Sequence, residues 1–247
     1  MPAMPHLKVA TYNIHKGFSL FNRRVVLHDL REQIRALDAD IVFLQEVQGE
    51  HALHAQRHVT YPEGPQYEFL ADEFWAHQAY GMNAVYEHGH HGNAILSRFP
   101  IVQTRNRDVS AHRFEQRGLL HCEIDVKGQH VHCFCTHFGL FARGRRQQLQ
   151  SLIEHARRDV PADAALLIAG DFNDWRNELT RGLTESLGVQ DVFHLSCGFP
   201  ARSFPAAFPL FKLDRIYARG FDVVGCDVHG GRRTSDHAAL TADLKRR

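Results

Sequence analysis

Residues 165–173 read ALLIAGDFN and contain an apolar run that ends abruptly in polar side chains. The apolar part, residues 165–169, has the length and composition of a buried β-strand. Asp171 and Asn173 follow this run through Gly170. A carboxylate and an amide therefore stand where a buried strand ends, and the stretch predicts both a sheet core and a polar site at its edge.

Similar apolar runs recur along the whole chain. Lys127-Gly128 separates two of them and predicts a tight hairpin. The runs that predict strands are Leu7–Tyr12, Ile41–Gln45, Ala94–Ser97, Leu119–Val126, His130–Thr136, Ala165–Ala169, Leu213–Ala218 and Ala238–Leu244. The chain is thus rich in short strands suited to buried sheets.

Two other segments carry apolar residues at helical spacing, which predicts amphipathic helices. The apolar positions are Val26, Leu30, Ile34 and Leu37 in the first segment, and Leu149, Leu152, Ile153 and Ala156 in the second. Hairpin-linked strands mixed with a few helices predict packed sheets with helices on their outer faces, an α/β or α+β sandwich. No repeat or Ser/Gly-rich linker divides the chain, so we expect a single domain over residues 1–247.

The overall charge gives no reason to expect avid binding to polyanions. The 29 Lys+Arg nearly balance the 28 Asp+Glu, so the formal net charge is +1. Local basic clusters are candidates for phosphate contacts, although each alone is better explained as a solvated charge. These clusters are Arg23-Arg24, Arg143 with Arg145 and Arg146, and Arg232-Arg233.

Cysteine usage predicts a reducing compartment. The five cysteines are odd in number and show no C-x-x-C spacing, and no export signal precedes them, so we expect no disulfide framework and a cytoplasmic protein. Cys133 and Cys135 alternate with His132 and Phe134, which predicts one buried strand face. No run of about 18 apolar residues occurs, so no transmembrane segment is predicted.

Polar side chains stand at the ends of several predicted strands. They are Asn13, Glu46, His137, Asp171, Asn173, Asp214 and the run Ser235-Asp236-His237. Each one alone is as often a helix cap or a turn residue. Together, their carboxylate and amide oxygens suit a hard cation such as Mg²⁺ or Mn²⁺, whereas zinc would require more convergent histidine or cysteine.

The order and wording of these motifs resemble the endonuclease/exonuclease/phosphatase superfamily, which includes DNase I-like nucleases, sphingomyelinase-type phosphodiesterases and inositol polyphosphate phosphatases. The matching motifs are Thr11-Tyr12-Asn13, Leu44-Gln45-Glu46, Gly92-Asn93-Ala94-Ile95-Leu96-Ser97, Thr136-His137, Gly170-Asp171-Phe172-Asn173, Leu213-Asp214-Arg215-Ile216 and Ser235-Asp236-His237. Each is common alone, but the ordered set is specific. The resemblance implies a four-layered α/β sandwich, with two mixed β-sheets packed face to face and helices outside.

The resemblance also implies a role for each carboxylate and amide. Glu46 would be the principal ligand of Mg²⁺ or Mn²⁺, with Asn13 beside it and Asp236 as a further contributor. Asp171 would orient or deprotonate the attacking water, and Asn173 would help to place it. The reaction would be an in-line attack of water on phosphorus, without a covalent enzyme intermediate.

Histidines and a further asparagine complete the implied set. His237, oriented by Asp214, would stabilise the phosphoryl oxygens, because the carboxylate fixes the imidazole tautomer and favours its cationic form. His137 stands where relatives have a second histidine or a tyrosine, and Asn93 would face the scissile phosphate. His15 departs from the pattern, since some nuclease relatives have a metal-binding carboxylate there. It is a candidate for binding substrate or metal, or for lining the rim.

Two further groups have both a functional and a structural interpretation. The first is His88, His90 and His91, for which surface exposure unrelated to the site is favoured. The second is Phe204, Phe208 and Phe211, beside Arg202 in the Pro-rich segment Gly198–Phe211. These aromatic residues either form an apolar lip that selects a lipid or a nucleobase, or pack against one another.

The sequence therefore predicts a metal-dependent hydrolase of phosphate esters, with a diester favoured over a monoester. Single-stranded or damaged nucleic acid stays open as a substrate without being strongly indicated, as do a phospholipid head group and a small soluble phosphate. The competing hypothesis is a catalytically silent module that binds a phosphorylated partner, and the complete set of water-activating and metal-binding residues argues against it. Neither G-x-G-x-x-G nor G-x-x-x-x-G-K-[ST] occurs, which argues against a nucleotide-binding fold.

Overall fold

A computed structural model of the protein describes residues 6–18, 24–51, 61–62, 64–230 and 234–247. The strands are β1 (His6–Asn13), β2 (Ile41–His51), β3 (His77–Tyr86), β4 (Gly89–Ser97), β5 (Ile101–Asp108), β6 (Gly118–Val126), β7 (Gln129–His137), β8 (Ala165–Asp171), β9 (Gln190–Asp191), β10 (Asp214–Arg219), β11 (Phe221–His229) and β12 (Ala239–Arg246). The helices are α1 (Leu27–Ala36), α2 (Gln66–Ala71), α3 (Ala142–Asp159), α4 (Thr180–Leu187) and α5 (Val192–Cys197), and a 3-10 turn spans His15–Gly17.

The strands form two six-stranded sheets, in the orders β11-β12-β1-β2-β4-β3 and β5-β6-β7-β8-β10-β9. Each sheet is mixed and contains one parallel pair, β1 with β2 or β7 with β8. Parallel neighbours need a long crossover connection, and here each crossover contains a helix, α1 or α3. Both segments predicted to be helical from their spacing are therefore confirmed as these crossovers.

The two sheets bury one apolar layer between them, and helices cover their outer faces. Phe43 of the first sheet and Leu167 of the second belong to the same buried cluster between the sheets. On the outer faces, Leu30 of α1 packs on the first sheet and Leu152 of α3 on the second. Each such side chain contributes roughly 1.5–3 kcal/mol through its removal from water. The predicted four-layered α/β sandwich is confirmed.

Cys133 and Cys135 lie in the layer between the sheets, while Phe134 faces α3, as their alternation predicts. All five cysteines are free. The hairpin at Lys127-Gly128 is also confirmed, because both residues have the positive φ angles, 57° and 85°, that a two-residue hairpin turn requires.

All eight predicted strands are present within a few residues of their predicted bounds, except that β2 and β4 extend further. Four strands were not predicted, namely β3, β5, β9 and β11, and these four are the edges of the two sheets. An edge strand pairs on one side only and keeps polar side chains, as the mostly exposed β5 does. Its sequence therefore lacks the apolar run that identifies a buried strand.

Some expectations fall outside the described residues, namely those on Arg23, Arg232 and Arg233 and on most of the irregular segment 51–65. Within the described part of the chain, none of the helices combines the length and apolar character needed to cross a membrane.

Candidate active site

The carboxyl ends of the two parallel strand pairs meet at one end of the sandwich. Asn13 ends β1 and pairs with the residue that precedes Glu46 in β2. His137 ends β7 and pairs directly with Asp171 at the end of β8. The Asn13 amide connects the two sheets, because its Nδ2 donates to Asp171 Oδ2 at 3.2 Å and to Glu46 Oε1 at 3.4 Å. Residues more than 150 positions apart in sequence thus share one site.

The Asp171 carboxylate lies at the centre of this site. The backbone N–H of Asn173 donates to its Oδ1 at 2.9 Å. Its Oδ2 lies 3.4 Å from His137 Nε2 and 3.8 Å from His237 Nε2. Because Asp171 is 1% exposed, these contacts replace most of the water that would solvate an aspartate. The carboxylate is therefore held in one orientation, with donors on several sides.

Asp214 and His237 form a buried pair beside Asp171. Asp214 lies opposite Asp171 in the antiparallel pairing of β10 with β8. Its Oδ2 is 2.8 Å from His237 Nδ1. Desolvation acts to lower the pKa of His237, but the charges of Asp214, Asp171 and Asp236 outweigh it and raise that pKa to about 10. His237 is therefore a cation at neutral pH, with Nε2 directed towards Asp171.

The surroundings also shift the pKa values of Asp171 and His137, the other two buried titratable groups described above. Burial and the adjacent charge of Asp214 raise the pKa of the Asp171 carboxyl to about 6. Burial, the charge of Arg117 and that of His237 lower the pKa of His137 well below its usual value. The site thus combines one charged imidazole, one neutral imidazole and a carboxylate with raised proton affinity.

Unusual backbone conformations are concentrated around the site. His15, Lys16, Glu46 and Asn173 all have φ between 46° and 57°, the left-handed region that non-glycine residues seldom adopt. Glu46 lies in a bulge where the pairing of β2 with β4 shifts register. Gly170, at φ 146°, is required for close packing, because a Cβ there would lie 1.9 Å from the carbonyl oxygen of Thr136. Such strain is typical of functional sites.

The donor set suits a hard divalent cation. Glu46 is half-buried, and no cationic side chain pairs with it among the residues that the structure describes. The carboxylates of Asp171, Asp214 and Asp236 lie around one charged imidazole, and Glu46 is bonded to Asn13 beside them, so negative charge is in excess. A site of oxygen ligands with surplus negative charge fits Mg²⁺ or Mn²⁺.

Asp171, Asp214 and His237 have atoms within 4.8 Å of one another and by distance alone could share an ion. Nδ1 of His237 already bonds Asp214, so Nε2 is the atom that this imidazole could offer to such an ion.

His15 and Asp236 lie on the same side of the site as Asn13. The His15 backbone N–H donates to Asn13 Oδ1 at 3.1 Å, and His15 Nδ1 lies 3.4 Å from Asp236 Oδ1. Asn13 therefore presents its amide N–H, and not its oxygen, to Asp171 and Glu46. Ser235 Oγ donates to the carbonyl oxygen of Asn13 at 2.7 Å, which fixes the segment before His237 to the end of β1.

Asn93 and Arg143 lie further from this cluster than the residues described above. Asn93 is buried in β4, and its Nδ2 donates to the carbonyl oxygens of Gly118 and Cys135, which ties the two sheets together beside the site. Arg143 is exposed in the first turn of α3. Its neighbour Arg145 is buried, donates to the carbonyl oxygen of Leu140 and stacks on Trp175.

An apolar cavity of about 430 Å³ opens beside the catalytic candidates and is named here the Phe211 cavity. Its apolar walls are Leu140, Trp175, Phe204, Phe211 and Leu213, and Asn173 and His237 form its polar end. Two of the three aromatic residues of the predicted lip are therefore in place. Phe208 is not part of the wall and is 72% exposed.

Sequence patterns missed several residues that the structure brings to the site. His91 is half-buried, and the charge of Glu46 affects its pKa, so the interpretation of all three histidines 88, 90 and 91 as unrelated surface residues is wrong for this one. Trp175 and Leu140 were not singled out either. Trp175 follows the last residue of the Gly-Asp-Phe-Asn motif by two positions, and this proximity was the one sequence feature that could have pointed to its place at the site.

Comparison with known proteins adds an independent finding. The Endonuclease/Exonuclease/phosphatase family model matches residues 10–237. YbhP of Escherichia coli (strain K12), an uncharacterized protein, is 46% identical over 242 residues, which covers 96% of this chain and 95% of YbhP.

Solved structures share the fold at low sequence identity. The human Nocturnin catalytic domain with a bound sulfate anion aligns with a TM-score of 0.77 and 18% identity, over 98% of this chain and 94% of that chain. D. rerio TDP2 complexed with single strand DNA product aligns with a TM-score of 0.71 and 16% identity, over 97% of this chain and 99% of that chain.

Proposed function

The chain belongs to the Endonuclease/Exonuclease/phosphatase family, and from this membership we propose that it is a divalent-metal-dependent phosphodiesterase. One observation supports the proposal most strongly. Asp171 is held between His137, Asn13 and a charged His237, where two pairs of parallel strands end. The whole chain, residues 1–247, would form the single catalytic domain.

Asp171 would hold the attacking water in line with the scissile bond and accept a proton from it. Its carboxylate is fixed by the Asn173 N–H and the Asn13 amide, so it need not reorganise during the reaction. His137 and Asn173 would help to place the water and the phosphate. Attack would occur directly on phosphorus, without a covalent intermediate on the protein.

His237 would donate from Nε2 to a phosphoryl oxygen. Asp214 bonds Nδ1 of this imidazole and keeps the ring oriented and charged, which suits an oxygen that gains negative charge in the transition state. Asn93, His15 and Arg143 would contact the rest of the substrate.

Glu46 would be the main ligand of Mg²⁺ or Mn²⁺, supported by Asn13 and Asp236. When bound, the cation would withdraw charge from the phosphoryl oxygens and lower the pKa of coordinated water. Because Asn13 directs its N–H towards Glu46 and Asp171, its contribution would be to orient these carboxylates.

The substrate would carry an apolar or aromatic group near the scissile phosphate, since the Phe211 cavity opens directly on His237. A nucleobase of single-stranded or damaged nucleic acid and the apolar part of a phospholipid both meet this description. A small soluble phosphate would leave the cavity unused. The free cysteines suit a cytoplasmic location.

A substrate panel tests the proposal. Single-stranded and abasic DNA, RNA, lysophospholipid, sphingomyelin and inositol phosphates are assayed with Mg²⁺, with Mn²⁺ and with a chelator. We expect turnover of at least one ester that requires the metal and falls by about 10³-fold or more in Asp171→Asn.

The matched control is Asp227→Asn, which removes an exposed carboxylate on β11. This variant should keep wild-type turnover. Undiminished hydrolysis by Asp171→Asn, or no metal-dependent hydrolysis of any ester in the panel, would show that the proposal is wrong.

A further inference from the structure

A second cavity, of about 300 Å³, shares the wall residue Leu140 with the Phe211 cavity. Unlike the first, it has charged and polar walls, and it is named here the Arg117 cavity. Its wall includes Arg117, His91, His112, Glu115, Phe114 and Leu140. None of the residues proposed for water activation lines it, so it is a separate compartment next to the scissile position.

Among the described residues, Arg117 is the one arginine that lines this cavity. Its backbone is fixed, because its N–H donates to Ser110 Oγ at 2.9 Å and its carbonyl oxygen accepts from the Val109 N–H at 2.9 Å. Its side chain forms no ion pair with any residue that the structure describes, and its buried Nε lacks a hydrogen-bond partner. A buried donor without a partner costs stability, so its retention points to an acceptor supplied by a ligand.

Two neighbours strengthen this interpretation. His91 also has a buried ring nitrogen, Nδ1, without a partner. Lys16, held in the left-handed conformation, has no carboxylate within ion-pair distance in the described ranges. Burial and the charges of Lys16 and Arg117, opposed by that of Glu46, lower the pKa of His91 to about 4.

The one carboxylate in the wall, that of Glu115, does not pair with these cations. Its Oε2 accepts from the backbone N–H of Ala111 at 3.0 Å and from Gln148 Nε2 at 2.7 Å. Both contacts tie Glu115 to its own loop and to α3, so the guanidinium donors of Arg117 are left for a ligand.

We propose that the Arg117 cavity binds a second phosphate group of the substrate, next to the phosphate that is hydrolysed. Arg117 would hold this group through its guanidinium, with His91 and Lys16 as further donors. The inference rests on the proposed phosphodiesterase function, and it adds that the preferred substrate carries two phosphates. Phe114 and Phe141, which are 81% and 72% exposed, leave the mouth open to a longer molecule.

Paired probes test the proposal. Thymidine 5′-(p-nitrophenyl phosphate) is compared with its 3′-phosphorylated form, and a p-nitrophenyl phosphodiester of propanediol is compared with its terminally phosphorylated form. We expect the added phosphate to raise kcat/KM about tenfold or more, mainly through KM, and Arg117→Ala to abolish this gain. Arg117→Lys should restore part of it.

Arg113→Ala is the matched control, since Arg113 stacks on the wall residue Phe114 but does not itself line the cavity. It should keep the full preference for the added phosphate. A gain with the nucleotide pair alone would assign the second phosphate to a nucleic acid, and a gain with both pairs would assign recognition to the phosphate itself. A wild-type protein without any preference, or an Arg117→Ala variant that keeps it, would overturn the proposal.

A binding measurement separates this inference from the proposed function. Inorganic phosphate is titrated into ¹⁵N-labelled protein in the presence of chelator, and the Arg117 Nε–Hε signal is identified by its loss in Arg117→Lys. We expect a saturable shift at millimolar phosphate even if neither probe is hydrolysed. No shift up to about 10 mM phosphate would contradict the cavity assignment, whatever the catalytic result.

Discussion

Two pairs of buried histidines show how this fold sets the charge of an imidazole. His121 and His132 lie side by side on β6 and β7, with Nε2 of the first 3.1 Å from Nδ1 of the second. No carboxylate bonds either ring in the described structure, and desolvation lowers the pKa of both, that of His121 to about 4. His137 and His237 are equally buried beside Asp171, yet their pKa values move in opposite directions.

The direct contact with Asp214 distinguishes His237 from the other three histidines. His137 lies 3.4 Å from a carboxylate and remains neutral like His121, whereas His237 has Asp214 at 2.8 Å and becomes charged. Burial and neighbouring positive charges therefore produce neutral histidines here, and a directly bonded buried carboxylate is what produces a cation. The same comparison predicts how each region responds to change.

The largest effect is expected when His237 loses its bonded carboxylate and so resembles His121 and His132, whose rings bond none in the described structure. In Asp214→Asn, His237 loses the carboxylate that favours its charge and orients its ring. We expect kcat/KM to fall by about 10³-fold, with the pKa of His237 in ¹⁵N NMR falling below neutrality.

Thermal stability of Asp214→Asn should fall at neutral pH, because the exchange removes one partner of a buried ion pair and with it the raised pKa of His237 that favours the folded state. If the variant kept a charged His237, or kept activity within about tenfold of wild type, the role assigned to Asp214 would be wrong.

An intermediate effect is expected in the pH dependence of stability. The folded pKa of His121 is about 4 against the usual 6.5, so the unfolded chain binds more protons as pH falls through this window. His121 makes almost no contribution above pH 6.5 and costs stability progressively below it, by about 2 kcal/mol near pH 5. His237 has the opposite sign, since its folded pKa is raised and protonation favours the folded state.

Urea unfolding of wild type and His121→Gln between about pH 7 and about pH 5 measures this contribution. The variant should lose less stability on acidification than wild type does. His88→Gln removes an exposed histidine and should follow the wild-type curve. Parallel curves for wild type and His121→Gln would show that His121 does not titrate as expected.

The smallest effect concerns the aromatic partner of each region. Phe134 stacks on His121 with ring centroids 4.2 Å apart, and Phe204 lies 5.0 Å from the ring of His237. Phe204→Leu should lower kcat/KM by about tenfold with little loss of stability, since Phe204 supports the orientation of His237 and lines the Phe211 cavity. Phe134→Leu should cost about 1 kcal/mol of unfolding free energy and leave kcat/KM unchanged.

Kinetics and urea unfolding of both variants decide this point. If Phe134→Leu also lowered activity, the two histidine regions would be coupled, and the distinction between a structural and an active-site pair would fail.

The interior of the fold could be predicted because buried strands and crossover helices leave strong patterns. The run at 165–169 is apolar on both faces, since a sheet covers one face and helices cover the other. The edge strands β3, β5, β9 and β11 could not be predicted in the same way. Their conformation depends on pairing with a neighbour, and a partner strand does not show in the composition of the edge itself.

For the site, the motifs identified Asp171, Asp214 and His237, whose proximity the structure then provides. Residues outside a motif, such as Arg117 and Trp175, could not be found, because an arginine or a tryptophan in a loop has the same appearance whether its side chain meets solvent or a cavity. Their placement depends on contacts between segments far apart in the chain.

The alternation of buried strands and crossover helices can be predicted from the sequence alone, as can the family motifs and the set of carboxylates, amides and histidines. The folded structure was needed to establish which histidine is charged, that Asn13 bonds Glu46, and that two cavities share Leu140 as a wall residue. Strand and helix propensities act over a few neighbouring residues, so they can be recognised in the sequence. Desolvation, charge pairing and cavity shape depend on groups that meet only when the two sheets pack together.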